Sequence, residues 1–520
     1  MKKLLSIAVF ALAAIQLLNA QSNGVCGNST ESQRAIQPRS QENIAKAMSG
    51  LGATDRDVIQ YVPIHFILVG DSLGNGRVNE VKILDQLCDQ NEAYAPMNIR
   101  FYLAAHPTYG LFNKSIANNN VMNNQNNSIL MKLRKSSKAL NVFVVATPNS
   151  GPSASPGIVL AYYSPQFDWV VERKTEVKGG HSGTLPHEVG HFFSLMHTFY
   201  GWESNPFSPD DAGWPIAPAV SPGGIATERV NGTNCLTAAD GICDTPPDYN
   251  FGLDQGNCLP YTQGAKDPLG TPVDPMEINF MSYFSGCDTA YKFTPIQQST
   301  ILADLSSSSR NFLDNTFSPL STEITVPAGG LMTAPLAGIT TTYYDEVMFE
   351  WQAVAGANHY LIEADITPTF ATSFYRSVVT TGTSQLLTSL VKNKTYYWRV
   401  RPFNEYVTCP SGDAAAFLTF KTSTISATKN VSELNAWQIS PNPASTNGVV
   451  TLRADSKQSF VADLSIIDAT GRRLYTQQNV DFQTGESTVE LPLNGIANGL
   501  YYVLIESEKG RDVRKLTVQN

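Results

Sequence analysis

The sequence predicts a multidomain fold: one α/β domain followed by two β-sandwiches. Three observations predict it. At 520 residues the chain exceeds what one ordinary core spans. Strand and helix patterns alternate from Tyr61 up to a histidine-bearing helix near residue 190. Beyond a Pro- and Gly-containing stretch at 316–330, only strand patterns remain.

The opening segment, MKKLLSIAVFALAAIQLLNA, has two lysines, an apolar core and small residues at its end. It reads as a signal peptide, 1–20, cleaved after Ala20. No later run reaches about 18 apolar residues, so no transmembrane segment is expected once the signal is removed. Residues 21–58 are polar and turn-rich with a helical patch near QENIAKAM, the texture of a pro-segment or a flexible lead. YVPIHFILV is a buried strand by its β-branched run, and EVKILDQLCDQNEAY has apolar residues at helical spacing. NIRFYLA, ALNVFVVAT, GIVLAYYS and DWVVERKTEV read as strands, with SILMKLRKSS as an amphipathic helix. Such alternation implies a largely parallel sheet, with the histidine helix packed beneath it, in a domain spanning 59–315. From Tyr200 to about 305, Gly, Pro, Asp and Cys dominate, so loops held by bridges are expected. TFSPLSTEITVPAGG, 316–330, reads as a linker. EVMFEWQAV, HYLIEADI, TYYWRVRPFN and AFLTFKT make a first sandwich over 331–424, and strand patterns over 435–520 make a second.

Charged residues are 16% of the chain, apolar ones 42%, and the net charge is -9. That balance suits an extracytoplasmic globular protein and argues against nucleic acid as a partner. Export permits disulfides. Of seven cysteines, Cys235, Cys243, Cys258 and Cys287 cluster after the histidines, consistent with two bridges whose pairing has three possibilities. The odd total leaves at least one unpaired, and Cys26 is the candidate.

The chemistry concentrates in LPHEVGHFFSLMHTF, residues 185–199. His187 and His191 stand four apart, so on a helix they share a face and can reach one tetrahedral zinc ion. Glu188 lies one step round, able to reach a water at the metal without occupying a coordination position. His197 comes six residues after His191, too far for the same face, so the chain must turn between them. Three protein ligands with a fourth position open is the arrangement of a catalytic zinc site. A lone HExxH arises by chance in many proteins; the third histidine makes that reading the weaker one.

HEVGHFFSLMH resembles the extended zinc signature of metzincins, and INFMSYF resembles their methionine turn. With ATERVNGTNC and CDTPPDY, residues 60 to 305 are similar to the pappalysin (cytophagalysin) family. The resemblance implies a metzincin-type α/β catalytic domain and a secreted zinc endopeptidase acting on protein or peptide substrates. By it His187, His191 and His197 hold zinc, Glu188 is the general base, Met281 underlies the site and Tyr283 stabilises the oxyanion. Cys26, in GVCGNS, resembles the Cys-Gly latency motif of the family's pro-segments, which implies a zymogen released by cleavage near 45–60. The family likeness implies bridges 235–258 and 243–287. Asp240, Asp244 and Thr245 in AADGICDT offer hard oxygens for calcium, which some relatives bind; an unoccupied acidic loop is the equal alternative. Ser194 stands where the signature has glycine, so a strained turn is expected there. Some relatives carry an acid between the Met-turn tyrosine and the next cysteine; here Phe284-Ser285-Gly286 holds none, with Asp288 beyond. The feature by which the resemblance would imply an arginine preference is therefore missing.

Trp351, Tyr396 and Tyr397 occupy the places of the core aromatics and tyrosine corner of a fibronectin type III module, which implies a spacer. ISPNPAS, DATGRRLY, NGLYYVLIES and KLTVQN resemble the C-terminal sorting domain of the Bacteroidetes type IX secretion system. That implies the type IX machinery as partner and a secreted or cell-surface product exported across the outer membrane. The alternative to an enzyme is a surface adhesin or matrix-binding protein with a vestigial metal site.

Overall fold

The computed structural model describes residues 24–50, 58–71, 73–115, 128–148, 158–209, 215–314, 319, 322–426 and 431–520. The chain divides into two compact units, Met1–Pro319 and Leu320–Asn520. The expected signal peptide, its cut after Ala20 and residues 51–57 of the expected release region lie outside the described residues.

In the first unit, β1 (Gly24–Cys26) and α1 (Thr30–Ser49) come first, then β2 (Gln60–Val69), α2 (Glu80–Tyr94), β3 (Ile99–Leu103) and β4 (Asn113–Ser115). They are followed by α3 (Ser128–Arg134), β5 (Leu140–Val145), β6 (Ile158–Ser164), β7 (Trp169–Arg173) and α4 (Thr184–Phe192). Two short helices close the unit, α5 (Phe251–Gln255) and α6 (Pro295–Leu305). The sheet runs β1-β6-β7-β5-β2-β3, with β4 also on β2. Only the β6–β7 pair is antiparallel, so the expected largely parallel sheet is present. β2 lies between β5 and the edge strand β3 and is buried on both faces from Val62 onward. Pro63 is tolerated in it because β5 pairs only from Ile64; at Pro63 the partner is β3 alone. α2 lays Ile83, Leu84, Leu87 and Tyr94 into the core at helical spacing, while α4 lies against β6 and β7.

Three expectations change. α1 is a 20-residue helix rather than a lead with a helical patch, capped by Ser29 and ended by Gly50 at φ 71°. α6 was not expected; its start carries a capping box, Thr294 with Gln297, and a proline in the first turn. The bridges are Cys235–Cys243 and Cys258–Cys287, not 235–258 and 243–287. The cause is local: Ala239 and Gly241 both take positive φ, 42° and 78°, curling the chain back until Cys235 and Cys243 stand 5.0 Å apart at Cα.

The second unit begins within the expected linker, since Thr325–Val326 pairs with Ser411–Gly412 and Val326 is buried. Its first sandwich packs a sheet of Ser384–Leu387, Val347–Trp351 and Met332–Ala334 against one of Arg376–Thr380, His359–Asp365, Thr395–Phe403 and Leu418–Lys421. Trp351, Trp398 and Tyr396 are buried in it, and the Tyr396 hydroxyl accepts from the Val391 N–H at 3.0 Å; Tyr397 is part-exposed. A second sandwich, Leu434–Ser440 through Gly510–Val518, has its own core around Leu452, Leu464, Val503 and Phe482. Leu386 of the first meets Ile467 and Leu504 of the second, so the two form one unit.

Candidate metal centre

α4 carries His187, Glu188 and His191, all buried. The helix stops at Phe192, and Ser194 takes φ 67°, the left-handed conformation expected where the signature has glycine. That turn aims the Leu195 carbonyl back at the helix, where it accepts from His191 Nδ1 at 2.8 Å. It also swings His197 round, so that its Nε2 comes 3.2 Å from His191 Nε2. The remaining Nδ1 atoms are engaged too: His187 on the Phe280 carbonyl at 2.6 Å, His197 on Glu203 Oε1 at 3.3 Å. With each Nδ1 facing an acceptor, each Nε2 turns its lone pair inward. His187 Nε2 is buried and has no partner of its own.

Those atoms fit zinc. Cys26 Sγ joins the three imidazoles, and one ligand atom from each lies within 4.8 Å of the others. Ligands 2.1 Å (N) and 2.3 Å (S) from one tetrahedral ion stand about 3.4 Å (N to N) and 3.6 Å (N to S) apart. The observed separations are 3.2 Å for His191–His197 and 3.8 Å for Cys26–His191. Burial drives the pKa of His187 down to about 4 and those of His191 and His197 below their ordinary value, keeping all three neutral as metal ligands must be.

The other site residues gather around this centre. Glu188 is buried, with Asn28 Nδ2 at 3.5 Å, and burial pushes its carboxyl up to about 8. Burial and the Glu188 carboxylate likewise push the Cys26 thiol up; a divalent cation among the imidazoles would pull both groups back down. Cys26 is the free cysteine among the described residues. Met281 lies under α4: a Cβ on Gly190 would come 2.5 Å from its sulfur, so glycine lets the methionine pack directly against the helix. Tyr283 faces the rings of His187 and His197 at 6.0 and 5.1 Å and donates its hydroxyl to the Cys26 carbonyl at 2.8 Å. A cleft of about 220 Å³ opens here between the start of α4 and the 280–288 segment, with Glu176, Lys178 and Asp288 among its lining.

Residues 24–49 cover the centre. β1 adds to the free edge of β6 in parallel, Gly24 to Ile158 and Cys26 to Ala161. From α1, Gln33 Nε2 reaches His191 Nε2 at 3.4 Å, and Asn43 donates to Ser194 Oγ at 3.0 Å and Asp304 at 2.7 Å. Arg39 pairs with Asp304 at 3.1 Å and donates to the Phe192 carbonyl at 3.0 Å, alongside Arg310.

Asn28, Gln33 and Glu203 escaped the sequence reading; the one available signal was a glutamate six positions after the third histidine. The three residues offered for calcium do not converge. Asp244 accepts from Thr294 Oγ1 at 2.7 Å and the Ile296 N–H at 2.8 Å, capping α6, while Asp240 accepts from Thr245 Oγ1 at 3.2 and 3.1 Å. No helix among the described residues is long and apolar enough to cross a membrane.

Residues 438–519 match the family described as the secretion system C-terminal sorting domain. An extracellular metalloprotease of Colletotrichum graminicola is 31% identical over 263 residues, 46% of this chain and 91% of its own length. One from Neurospora crassa is 27% identical over 215 residues, 38% of this chain and 73% of its own. Among solved structures, the FN1-FN3 domains of chicken CNTN1 overlap 38% of this chain and 69% of theirs at 14% identity and TM-score 0.16, too low to place a fold.

Proposed function

The chain belongs to the extracellular metalloproteases, and from that premise we propose a secreted, zinc-dependent endopeptidase of the metzincin, pappalysin-like type, made as a zymogen. The observation that carries this reading is the inward-facing trio of imidazole Nε2 atoms beside a buried carboxylate, one of them a buried nitrogen without a partner. His187, His191 and His197 would hold the ion. Zinc bound there would lower the pKa of a water to about 7 and polarise a substrate carbonyl.

Glu188 takes the proton of the attacking water as the C–O bond forms, then passes it to the amine nitrogen as the C–N bond breaks. Burial keeps the carboxylate poised for that exchange, since a desolvated base holds its proton more tightly. The Tyr283 hydroxyl already donates to a carbonyl, that of Cys26. With Cys26 withdrawn, the same hydroxyl donates to the oxyanion developing on the substrate. Met281 seals the floor and excludes water from below. Cys26 would supply the fourth ligand to a bound ion while β1 pairs along the β6 edge, so latency would rest on a blocked centre and a blocked strand edge together. Removal of residues 24–49, after a cut in the 45–60 region, frees both.

The sorting domain marks the chain for export, which supports type IX passage to the medium or the cell surface. The first sandwich of the second unit serves as a fibronectin-like spacer. Cleft charges of both signs, Glu176 and Asp288 against Lys178, support no strict arginine preference.

Glu188→Gln is the test. The variant is expected to keep one zinc per chain by elemental analysis while casein cleavage by the matured enzyme falls by about 10²–10⁴. Cleavage at the wild-type rate would remove the assigned base.

A further inference from the structure

Of the three histidines, two turn Nδ1 to backbone carbonyls, Phe280 and Leu195; only His197 turns it to a carboxylate. That carboxylate is Glu203, fully buried, and its Oε1 accepts from the neutral His197 imidazole at 3.3 Å. The loop between them is built for the contact. Tyr200 N–H donates to the His197 carbonyl at 3.1 Å and Trp202 N–H to the Phe199 carbonyl at 2.9 Å, two successive turns that fold residue 203 back over residue 197. Gly201 makes the return possible at φ 100°, and its N–H donates to Glu203 Oε2 at 3.0 Å. The same Oε2 accepts from Thr30 Oγ1, at the first position of α1, at 2.6 Å.

A buried carboxylate without Lys or Arg is costly unless something else compensates it. Here the compensation fits the far side of an imidazole: a cation at His197 Nε2 polarises the ring, and the carboxylate on Nδ1 strengthens the ring as a ligand. His197 is also the ligand that needs this most. His187 and His191 are fixed by α4, whereas His197 sits in a loop.

We propose that Glu203 is a positioning residue for the third zinc ligand and also the polar latch for the pro-segment helix. Oε1 orients and strengthens His197, and Oε2 holds Thr30. The inference rests on the zinc reading above. It gives the covering segment an anchor on the ligand set separate from the Cys26 thiol.

The test is zinc release from the full-length zymogen to a chromogenic chelator. Glu203→Ala is expected to lose zinc at a 10–100-fold lower chelator concentration than the wild type. Glu203→Gln, whose amide oxygen still accepts from Nδ1, is expected to recover part of that loss, and its cobalt-substituted form to show shifted visible bands. Thr30→Val is expected to hold zinc as the wild type does but to shed residues 24–49 faster in limited proteolysis. In a Glu203→Gln background the same change is expected to add less, because its acceptor is already weakened. Zinc held equally by wild type and Glu203→Ala, or additive effects of Thr30→Val and Glu203→Gln, would overturn the inference and leave the zinc reading standing. A wild-type chain that takes up no zinc overturns both.

Discussion

Among the described residues, two clusters bring at least three metal-ligating side chains within 4.8 Å: Cys26, His187, His191 and His197, and Asp89, Glu92 and His181. They differ in what surrounds the ligands. In the first, all four side chains are buried and every imidazole Nδ1 is engaged, so each Nε2 has one direction left to face. In the second, His181 and Glu92 are exposed by 36% and 64%, and His181 pairs with Asp89 at 3.9 Å and Glu92 at 3.3 Å. Exposed pairs of that kind contribute about 0–1 kcal/mol, and water competes for every ligand atom. A metal centre is therefore distinguished by what engages the far atoms of its ligands and by what keeps water away.

The contrast predicts a graded series. His197→Ala is expected to cost the buried cluster its stoichiometric zinc, read by elemental analysis; full zinc content would show that three imidazoles are not required. Cys26→Ala is expected to raise caseinolysis by the uncleaved chain about 10²-fold, the weight of a tethered ligand lost from the fourth position. Unchanged latency would assign the block to α1 and Glu203 instead. Ser194→Gly relieves a left-handed serine and is expected to stabilise the matured enzyme by about 1 kcal/mol, a rise of about 2–4 °C in Tm. A fall in Tm would mean that the Ser194 side chain itself holds the turn. His181→Ala, at the other end of the series, is expected to leave zinc content unaltered; loss of zinc would transfer importance to the exposed cluster.

The strands of the first unit were legible because apolar runs reveal burial directly: β2, β3, β5, β6 and β7 all form where their patterns predict. The histidine helix was equally plain, since four-residue spacing is a local geometric fact. α1 was legible only in part. Its buried face includes Gln33, Ser40 and Asn43, of which Gln33 meets His191 and Asn43 meets Ser194 and Asp304, so apolar periodicity could not mark its length. α6 was missed: Thr294, Pro295 and Gln297 form a start signal, but no strong apolar stripe follows it.

By itself the sequence determined the spacing that gathers His187, Glu188 and His191 on one helix, the unpaired Cys26 and the order of an α/β unit before β-rich domains, because each depends on residue type and short-range spacing. Tertiary structure alone decided which cysteines pair, that Asp244 caps a helix, and that Glu203 meets His197 on one oxygen and Thr30 on the other. The reason is distance. Glu203 and Thr30 lie 173 residues apart, and only folding the loop after α4 beneath the start of α1 brings that carboxylate and hydroxyl together.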